Sequence, residues 1–523
     1  MEEASAAKTG SPERPSDRTI AAIDIGANSI RMVIAQVEPD GEVQILERFQ
    51  RAVHLGQEVY RQGRLGSQSM RAVVAILRDY AQRLRVLNVK RVRAVATSTG
   101  REASNADTLW DRVYMATGLQ VEVIDTTEES RLIVSAVCKE LGGVLEGGHG
   151  GALVADVGGG STLLTVLREG RIVASQSLRL GSIRLHEIFT TGNESPRRCA
   201  ELYRQQIAKE TVTPAREMSL GAIDLFVAVG GDARFAAAQA GQSDETAGVS
   251  VVGRKPFEEL VASCEKKTAE DLSTRYGISF AEAETLNPAL QTYQILWRKT
   301  RAEKMIVSNV SMRDGLLLEL ARDVTGREDA VLQQSIVQSA LSLAQKYQVD
   351  VAHAEMVADL SVRLFDEMQA DHGLSGRHRI LLRVAAILHE VGSFVSNRAH
   401  HKHTYYLIVN SEVFGLSRDE RRIVAQVARY HRRSPPKPIH VEYMALPRAT
   451  RVVVNKLAAL LRVADGLSRG HIERAADLRM ERSGDELVVY LRGDDLFLER
   501  RAVAAKGNLF EEIYGMRVRL EQI

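Results

Sequence analysis

The sequence predicts an α/β protein in its first three-fifths, built from two related halves, followed by a helical domain with a small α/β appendage. Three observations predict this fold class. A strand, glycine-rich loop and second strand occur twice in the same order. Stretches of helical and strand periodicity alternate around these two copies. From about residue 334 onward, the apolar spacing becomes that of helices alone.

The duplication is visible in residues 20–38, IAAIDIGANSIRMVIAQVE, and residues 151–170, GALVADVGGGSTLLTVLREG. In each copy an apolar strand enters a short polar loop and a second strand leaves it. Asp24, Gly26 and Ser29 correspond to Asp156, Gly158 and Ser161 at one offset of 132 residues. One such copy is equally well explained as a simple glycine hairpin. Two copies in register instead predict a repeated functional loop.

The residue types in these loops suit phosphate chemistry. An aspartate at a strand end can hold a metal ion or its water, and glycines allow backbone N–H groups to point at a phosphate. Dinucleotide and Walker loops open a helix, whereas these loops join two strands. The predicted phosphate-binding residues are Asp24, Gly26, Asn28 and Ser29 in the first loop and Gly158, Gly159, Gly160 and Ser161 in the second.

Helix-like and strand-like stretches alternate between and after the two loops. A helix is expected over residues 71–84 and another near 196–209, with a strand over 91–97. Strand–loop–helix units are expected over 224–238 and 305–320. Two related α/β halves whose phosphate loops face each other predict a cleft between the halves.

Composition excludes several classes of protein. Hydrophobic residues make up 45% and charged residues 26% of the chain, as in ordinary globular proteins. The formal net charge of +2 gives no global preference for polyanions, and DNA is not expected as a partner. No run approaches the roughly 18 apolar residues that a spanning helix needs, so no membrane is expected either. The three cysteines are widely spaced and indicate a reducing, cytoplasmic compartment. Residues 1–18 are polar and are expected to be a disordered lead without a signal peptide.

At these loops the chain resembles the exopolyphosphatase/guanosine pentaphosphate phosphohydrolase family of the actin and sugar-kinase superfamily. The motifs that carry the resemblance are DIGANS (24–29), TSTGREASN (97–105), TEESRLI (127–133), DVGGGST (156–162), RLGSIRL (179–185) and SMRDG (311–315). The resemblance implies a duplicated actin-like ATPase (ribonuclease H-like) fold. Ala27 stands where the family often has serine, which removes one hydroxyl donor but keeps the backbone cradle.

The resemblance also implies catalytic roles. The family's catalytic base corresponds to Glu129, in the first turn of an apolar helix, where a carboxylate can activate water. Asp156 corresponds to the residue that holds the metal and water, so Mg²⁺ bound by Asp156 and Glu129 is the expected cofactor. Glu128, beside the base, is better explained as a carboxylate favoured by the helix dipole.

Three arginines, Arg31, Arg101 and Arg184, lie in or beside the motifs and are candidate phosphate clamps. Cleavage of a phosphoanhydride depends more on charge neutralisation than on covalent chemistry, so such clamps are needed. A solvated surface position is the alternative for each of them. No Ser-His-Asp or cysteine nucleophile is evident, which favours direct attack by water.

The second part of the chain resembles HD-type metal phosphohydrolases in the order of His353, His389-Glu390 and Asp465. The dipeptide is His-Glu where the pattern has His-Asp, and the longer side chain alters the ligand distances. His403 and His431 lie in basic segments and are further candidate ligands of a second metal. The alternatives are a metal-free domain that guides a polyanion, and buried structural histidines with a solvated basic face.

The leading functional prediction is an exopolyphosphatase, with a guanosine pentaphosphate 5′-phosphohydrolase as the near alternative. An actin-fold kinase and a non-catalytic nucleotide sensor are less favoured alternatives, and a homodimer is expected. Predicted boundaries are 1–18 for the lead, 19–145 and 146–325 for the α/β halves, 326–475 for the helical domain and 476–523 for the appendage. Within the helical domain a helix is expected over residues 381–394, and the appendage is expected to contain strands around one helix.

Overall fold

The computed structural model describes residues 18–146, 150–168, 171–190, 194–244, 249–325, 330–411, 413–432, 434–468, 478–491 and 496–522. The chain divides into two compact units. Unit 1 comprises residues 1–170 and 174–329, and unit 2 comprises residues 171–173 and 330–523. The proposed disordered lead lies outside the described residues except for Arg18.

Among its described residues, the first half of unit 1 contains a five-stranded sheet and five helices. The strands are β1 (Thr19–Ile25), β2 (Ser29–Val37), β3 (Val43–Ala52), β4 (Arg91–Ala96) and β5 (Val121–Val123). The helices are α1 (Leu55–Gln62), α2 (Ser67–Val86), α3 (Ser98–Glu102), α4 (Ala106–Thr117) and α5 (Thr126–Glu146). The strand order is β3-β2-β1-β4-β5, and β1 pairs antiparallel with β2 and parallel with β4.

The second half of unit 1 contains a seven-stranded sheet. Its strands are β6 (Ala152–Val157), β7 (Thr162–Arg168), β8 (Arg171–Leu178), β9 (Leu225–Val229), β10 (Gly241–Asp244), β11 (Val249–Gly253) and β12 (Lys304–Val307). Its order is β10-β11-β12-β9-β6-β7-β8, and the first three residues of β8 are those that belong to unit 2. Here β6 pairs antiparallel with β7 and parallel with β9, as β1 does with β2 and β4. The duplication predicted from the two loops is therefore a duplication of sheet topology.

Eight helices belong to the described part of this second half. They are α6 (Ser182–Phe189), α7 (Pro196–Glu210), α8 (Val212–Glu217), α9 (Gly231–Ala240), α10 (Arg254–Cys264), α11 (Ala269–Tyr276), α12 (Phe280–Arg298) and α13 (Met312–Thr325). Several of these helices begin at a capping residue. At α12, the Ser279 hydroxyl accepts from the N–H of Glu282, whose carboxylate accepts from the N–H of Ser279. The apolar faces of these helices and sheets form separate cores in the two halves.

Unit 2 is helical except for a small sheet. Its helices are α14 (Ala330–Lys346), α15 (Val351–Glu367), α16 (Gln369–His372), α17 (Gly376–Leu388), α18 (His400–Val409), α19 (Arg418–Arg429), α20 (Val441–Met444), α21 (Arg448–Leu467), α22 (Phe497–Lys506) and α23 (Asn508–Tyr514). Its strands are β13 (Arg479–Ser483), β14 (Glu486–Leu491) and β15 (Arg517–Gln522). The core of unit 2 lies among α15, α17, α19 and α21.

Two details of unit 2 differ from the sequence interpretation. The appendage was expected to contain one helix, but it has both α22 and α23 packed with its three strands. The apolar segment 381–394 is not one continuous helix, because α17 ends at Leu388 and a 3₁₀ turn follows at Val391–Phe394. None of the helices in the described ranges has the length and apolar character needed to span a bilayer.

Candidate active site

The two glycine-rich loops of unit 1 have matching backbone geometry. In the first loop the N–H of Gly26 donates to the carbonyl of Ser29 at 3.1 Å, and in the second the N–H of Gly158 donates to the carbonyl of Ser161 at 2.9 Å. Each bond closes a tight reversal between antiparallel strands. The predicted correspondence of these four residues is therefore found in the structure as equivalent hydrogen bonds.

A helix start packs beneath each loop. The N–H of Gly56 in α1 donates to the carbonyl of Ala27 at 2.9 Å, and the N–H of Ser182 in α6 donates to that of Gly158 at 2.9 Å. Ala27 is only 7% exposed, so its methyl group is a packing contact. These bonds use the outward carbonyls of both loops and hold them rigidly.

The second loop approaches the first half closely at Gly160. A Cβ added there would collide with the side chains of Tyr60 and Ser98, whose oxygens share a hydrogen bond of 2.8 Å. Glycine is required at this position because any side chain would separate the loop from α3. The two halves of unit 1 thus meet at the phosphate loops, as the predicted cleft requires.

A cavity of about 350 Å³ lies between the loops. It is lined by most of the predicted phosphate-binding and catalytic residues: Asp24, Gly26, Asn28, Ser29, Arg31, Glu129, Asp156, Gly158, Gly159, Gly160 and Ser161. Residues separated by more than 100 positions in the sequence therefore share one cavity. Arg101 and Arg184 are the two predicted residues of unit 1 that do not line it.

Glu129 projects from the first turn of α5 into this cavity. Both terminal nitrogens of Arg101 donate to Glu129 Oε2 at 3.1 Å, and Arg101 also donates to the carbonyl of Ile124 at 2.7 Å. Burial raises the pKa of Glu129, and Arg101 opposes that rise. A carboxylate with a raised pKa that is held in one orientation is suited to accept a proton from water.

Glu128, the adjacent residue, has a different environment. Its carboxylate accepts from Arg131 at 2.7 and 2.8 Å and from Arg93 at 3.0 Å, and only 5% of the residue is exposed. Burial alone would raise the pKa of Glu128, but the two arginines lower it to about 2. Glu128 therefore serves as a buried structural anion at the start of α5.

Asp156 and Asp24 lie at the ends of equivalent strands, β6 and β1. Burial and then the charge of Glu129 raise the pKa of Asp156 to about 7. Asp24 faces the same groups and pairs with Arg313 at 3.3 Å. Three carboxylates that repel one another in a buried cavity are stabilised by added positive charge.

The three predicted arginine clamps occupy different environments. Arg31 lines the cavity, and its buried Nε has no hydrogen-bond partner among the described residues. Arg101 is bound to Glu129, as described above. Arg184 donates to the carbonyl of Gly160 at 2.8 Å and stacks 4.2 Å from the ring centre of Tyr60, so it supports the second loop.

The cavity is also lined by charged residues that were not predicted, and these include Arg234, Arg313 and Asp232. Arg313 lies in SMRDG, and the other two lie in the strand–loop–helix segment 224–238, so both segments had been singled out without these residues. The sequence pattern that could have predicted these residues is their position after a strand that runs parallel to β6, at the same edge of the sheet. Buried Nη1 of Arg234 also lacks a partner among the described residues.

The oxygen donors of this cavity fit Mg²⁺, which binds one or two carboxylates and completes its shell with water and substrate phosphates. Burial and, second to it, the charge of Glu129 raise the pKa of Asp156, and a bound cation would oppose both effects. Asp24, Glu129 and Asp156 do not converge closely enough to ligate one ion together in the described structure. Asp156, with Glu129 acting directly or through water, is the better pair to hold the ion.

In unit 2 the structure brings together only part of the predicted metal set. Potential ligand atoms of His353, His389 and Glu390 lie within 4.8 Å of one another. His431 is adjacent, with its ring centre 5.0 Å from that of His389. Asp465 is buried and forms an ion pair with Lys506. His403 is not part of the three-residue cluster.

These features define a class of protein before any comparison is made. Paired Asp-x-Gly loops, a carboxylate base candidate and buried cationic donors around one cavity are the equipment of an enzyme that acts on phosphoanhydrides. The duplicated sheets supply the actin-like α/β architecture that was predicted.

Comparison with known proteins gives the family. Residues 33–323 match the Ppx/GppA phosphatase family, and residues 337–510 match Ppx/GppA phosphatase domain III. The chain therefore belongs to the Ppx/GppA phosphatase family, as the sequence motifs had indicated. It is a phosphohydrolase of that family. The HD-type character of unit 2 and the ribonuclease H-like detail of unit 1 stay predictions.

Individual relatives are moderately similar. The guanosine-5′-triphosphate,3′-diphosphate pyrophosphatase of Vibrio parahaemolyticus is 26% identical over 449 residues, which cover 84% of this chain and 86% of that protein. The protein of the same name from Aliivibrio fischeri strain ES114 is 25% identical over 79% of this chain and 80% of its own length. The structure of an exopolyphosphatase from Cytophaga hutchinsonii covers 59% of this chain and 99% of its own, at 21% identity and a TM-score of 0.53, which shows the fold.

Proposed function

We propose that this protein is an exopolyphosphatase, which hydrolyses the terminal phosphoanhydride of inorganic polyphosphate and releases orthophosphate. The observation that carries the proposal is the position of Glu129 in the cavity between two equivalent phosphate loops. A linear polyanion entering this cavity meets backbone N–H groups and buried arginine donors. No nucleoside is needed to make those contacts.

The environments of the cavity residues support a separate role for each of them in the proposed reaction. The loop glycines present N–H groups to phosphate oxygens, and Arg31 and Arg234 have buried nitrogens available to such oxygens. Arg101 holds the Glu129 carboxylate in place. Glu129 accepts a proton from the attacking water, and its raised pKa strengthens it as a base near neutral pH.

Mg²⁺ is the proposed cofactor, with Asp156 and Glu129 as the residues that would hold it. Its chemistry would be to neutralise charge on the anhydride oxygens as the bond breaks. Asp156 would lose its excess proton when the ion binds, because a cation lowers the pKa of a neighbouring carboxylate. The dependence of activity on Mg²⁺ is accordingly expected to weaken in Asp156→Asn.

The second candidate function is hydrolysis of guanosine pentaphosphate at its 5′ end. The relatives from Vibrio and Aliivibrio are both named guanosine-5′-triphosphate,3′-diphosphate pyrophosphatase, and they align over about four-fifths of this chain. The cavity also has an apolar wall that includes Phe235, Ile278 and Leu286, against which a base can pack. The two functions share the same anhydride chemistry and the same catalytic residues.

A comparison of substrates under one condition tests the proposal. Orthophosphate release is measured with Mg²⁺ from long-chain polyphosphate, guanosine pentaphosphate and ATP at equal concentrations of chain ends. We expect the highest kcat/KM with polyphosphate and the lowest with ATP. A higher kcat/KM for guanosine pentaphosphate would establish the second candidate, and phosphorylation of a sugar acceptor by ATP would establish a kinase.

A further inference from the structure

Unit 2 contains a cluster of side chains that the proposed function does not use. His353 lies in the first turn of α15, while His389 and Glu390 follow the end of α17. Their potential ligand atoms lie within 4.8 Å of one another. Within the described residues, this is the one group of three or more histidine, cysteine or acidic side chains with that proximity.

The backbone around this cluster is firmly fixed. The N–H of His353 donates to the carboxylate of Asp350 at 3.1 Å, which anchors the start of α15. The hydroxyl of Thr404 in α18 donates to the carbonyl of His389 at 3.1 Å and accepts from the N–H of Gly392 at 3.1 Å. The turn that carries His389 and Glu390 is therefore held from both sides.

His389 supplies the second, independent observation. It is fully buried, and its Nδ1 lies 2.6 Å from the carbonyl oxygen of Ala386. A carbonyl oxygen only accepts, so Nδ1 must carry the proton and Nε2 must present a lone pair. That buried Nε2 has no hydrogen-bond partner among the described residues. A buried acceptor without a donor is destabilising, and a bound cation would remove that cost.

Comparison with the neighbouring His431 shows that the unpartnered Nε2 is a property of His389 and not of every buried histidine nearby. Its Nδ1 is likewise 2.6 Å from the carbonyl of Ala428, but its Nε2 lies 3.2 Å from Nε2 of His400. His431 therefore has partners for both ring nitrogens within the protein. His389 has a partner for one of them only.

We propose that His353, His389 and Glu390 bind one divalent first-row transition metal ion, such as Zn²⁺ or Co²⁺. Two imidazole nitrogens and one carboxylate oxygen form a donor set that binds these borderline metals in preference to Mg²⁺ or Ca²⁺. The Nδ1–H of His389 bonded to a backbone carbonyl is the arrangement that orients an imidazole ligand. The site is formed by residues of unit 2 alone and does not depend on the proposed exopolyphosphatase activity.

Asp465 is not a ligand in this arrangement. Its buried carboxylate forms an ion pair with the ammonium of Lys506, the last residue of α22. That positive charge competes with a metal ion for the carboxylate of Asp465, which lies outside the three-residue group. Three protein ligands leave room for water or another small ligand on the metal.

The test is metal binding by the full-length chain. After dialysis against a chelator, the protein is titrated with Co²⁺, followed by visible absorption, and the bound ion is then displaced with Zn²⁺. We expect one equivalent per chain in the wild type and in the control His403→Ala, which removes a histidine outside the cluster. His353→Ala and His389→Ala should weaken binding by more than the 10–100-fold typical of a lost outer-shell contact.

Two further variants keep the outcome decisive. If His389→Ala fails to fold by circular dichroism, Glu390→Gln replaces it, because this half-buried residue is changed without altering its size. Lys506→Met should tighten Co²⁺ binding, since it releases the Asp465 carboxylate. The proposal is overturned if the wild type binds no stoichiometric Co²⁺, or if the ligand variants bind it as tightly as His403→Ala does.

Discussion

At the scale of single residues, adjacent glutamates in α5 have opposite environments. Glu128 is bound by two arginines that hold its pKa at about 2, whereas burial raises the pKa of Glu129. The first is therefore a permanent anion that stabilises the helix start. The second is a carboxylate whose protonation can change during a reaction. Two neighbouring residues of the same type thus have different roles, one structural and the other chemical.

Asp156 makes the stability of the protein depend on pH in a predictable direction. Burial and Glu129 raise its pKa from the ordinary 3.8 to about 7, so between these values the folded state binds more protons than the unfolded state. The contribution of Asp156 to stability therefore falls as pH rises through that interval, and it is constant on either side. Without Mg²⁺, the melting temperature should decline across this range.

The variant Asp156→Asn isolates this effect. Its melting temperature should fall less steeply between about pH 4 and pH 7 than that of the wild type, because the titrating group is gone. The exposed Asp111→Asn is the matched control for loss of one charge and should keep the wild-type slope. Identical slopes for wild type and Asp156→Asn would contradict the assigned environment.

Sequence reasoning at this scale found the residues that motifs carry and missed those that only space brings together. Glu129 and Asp156 follow from motif positions and line the cavity. The contact of Arg101 with Glu129 joins segments 28 residues apart, and Arg234 reaches the cavity from a different strand. No local pattern shows which of many arginines will turn toward a cavity and which will support a loop.

At the scale of elements, the packing of α13 on α5 positions the chemistry. α5 carries Glu129, and α13 carries Arg313, which pairs with Asp24 at 3.3 Å. The two helices touch at Gly315, where an added Cβ would collide with the backbone carbonyl of Leu132. Backbone cannot move aside as a side chain can, so only glycine permits this approach.

We therefore expect Gly315→Ala to separate the two helices and to lower both melting temperature and turnover. Overpacking of this kind typically costs about 1–3 kcal/mol. Gly143→Ala is the matched control on α5, since a Cβ there meets nothing within 4 Å and alanine favours a helix. Thermal unfolding and orthophosphate release of the two variants check this. A Gly315→Ala protein as stable and active as Gly143→Ala would show that the contact is unimportant.

The sequence predicted most elements because their periodicity is strong. The helix expected over 71–84 is α2, and the strand expected over 91–97 is β4. The break after Leu388 was missed because the apolar residues continue through the 3₁₀ turn. Periodicity reports burial, and a buried turn carries the same apolar signal as a buried helix.

At the scale of the whole molecule, the chain combines a duplicated α/β unit with a helical unit of its own core. The loop repeat in the sequence was sufficient to predict the duplicated topology. The role of the helical unit did not follow from sequence, because its histidines fit a metal site, a polyanion track and a buried core equally well. The expected homodimer stays a prediction.

A salt titration tests whether long substrates bind beyond the active-site cavity. A polyanion that contacts many Lys and Arg side chains releases counterions on binding, so its affinity falls steeply with salt; this rule for nucleic acids applies by analogy. We expect KM to rise more steeply with salt for long-chain polyphosphate than for triphosphate. Equal slopes would mean that long chains contact the cavity alone.

The central claim is that Glu129 activates the water that cleaves the terminal anhydride. The most direct measurement is orthophosphate release from polyphosphate with Mg²⁺ by the wild type, Glu129→Gln and Glu128→Gln, with the melting temperature of each. Glu129→Gln should lower turnover by the roughly 10²–10⁴-fold typical of a lost general base while melting like the wild type. Glu128→Gln should instead lower the melting temperature, because loss of one partner of a buried ion pair costs up to about 3–5 kcal/mol. Its folded fraction should keep its turnover. Near wild-type turnover by Glu129→Gln would contradict the account.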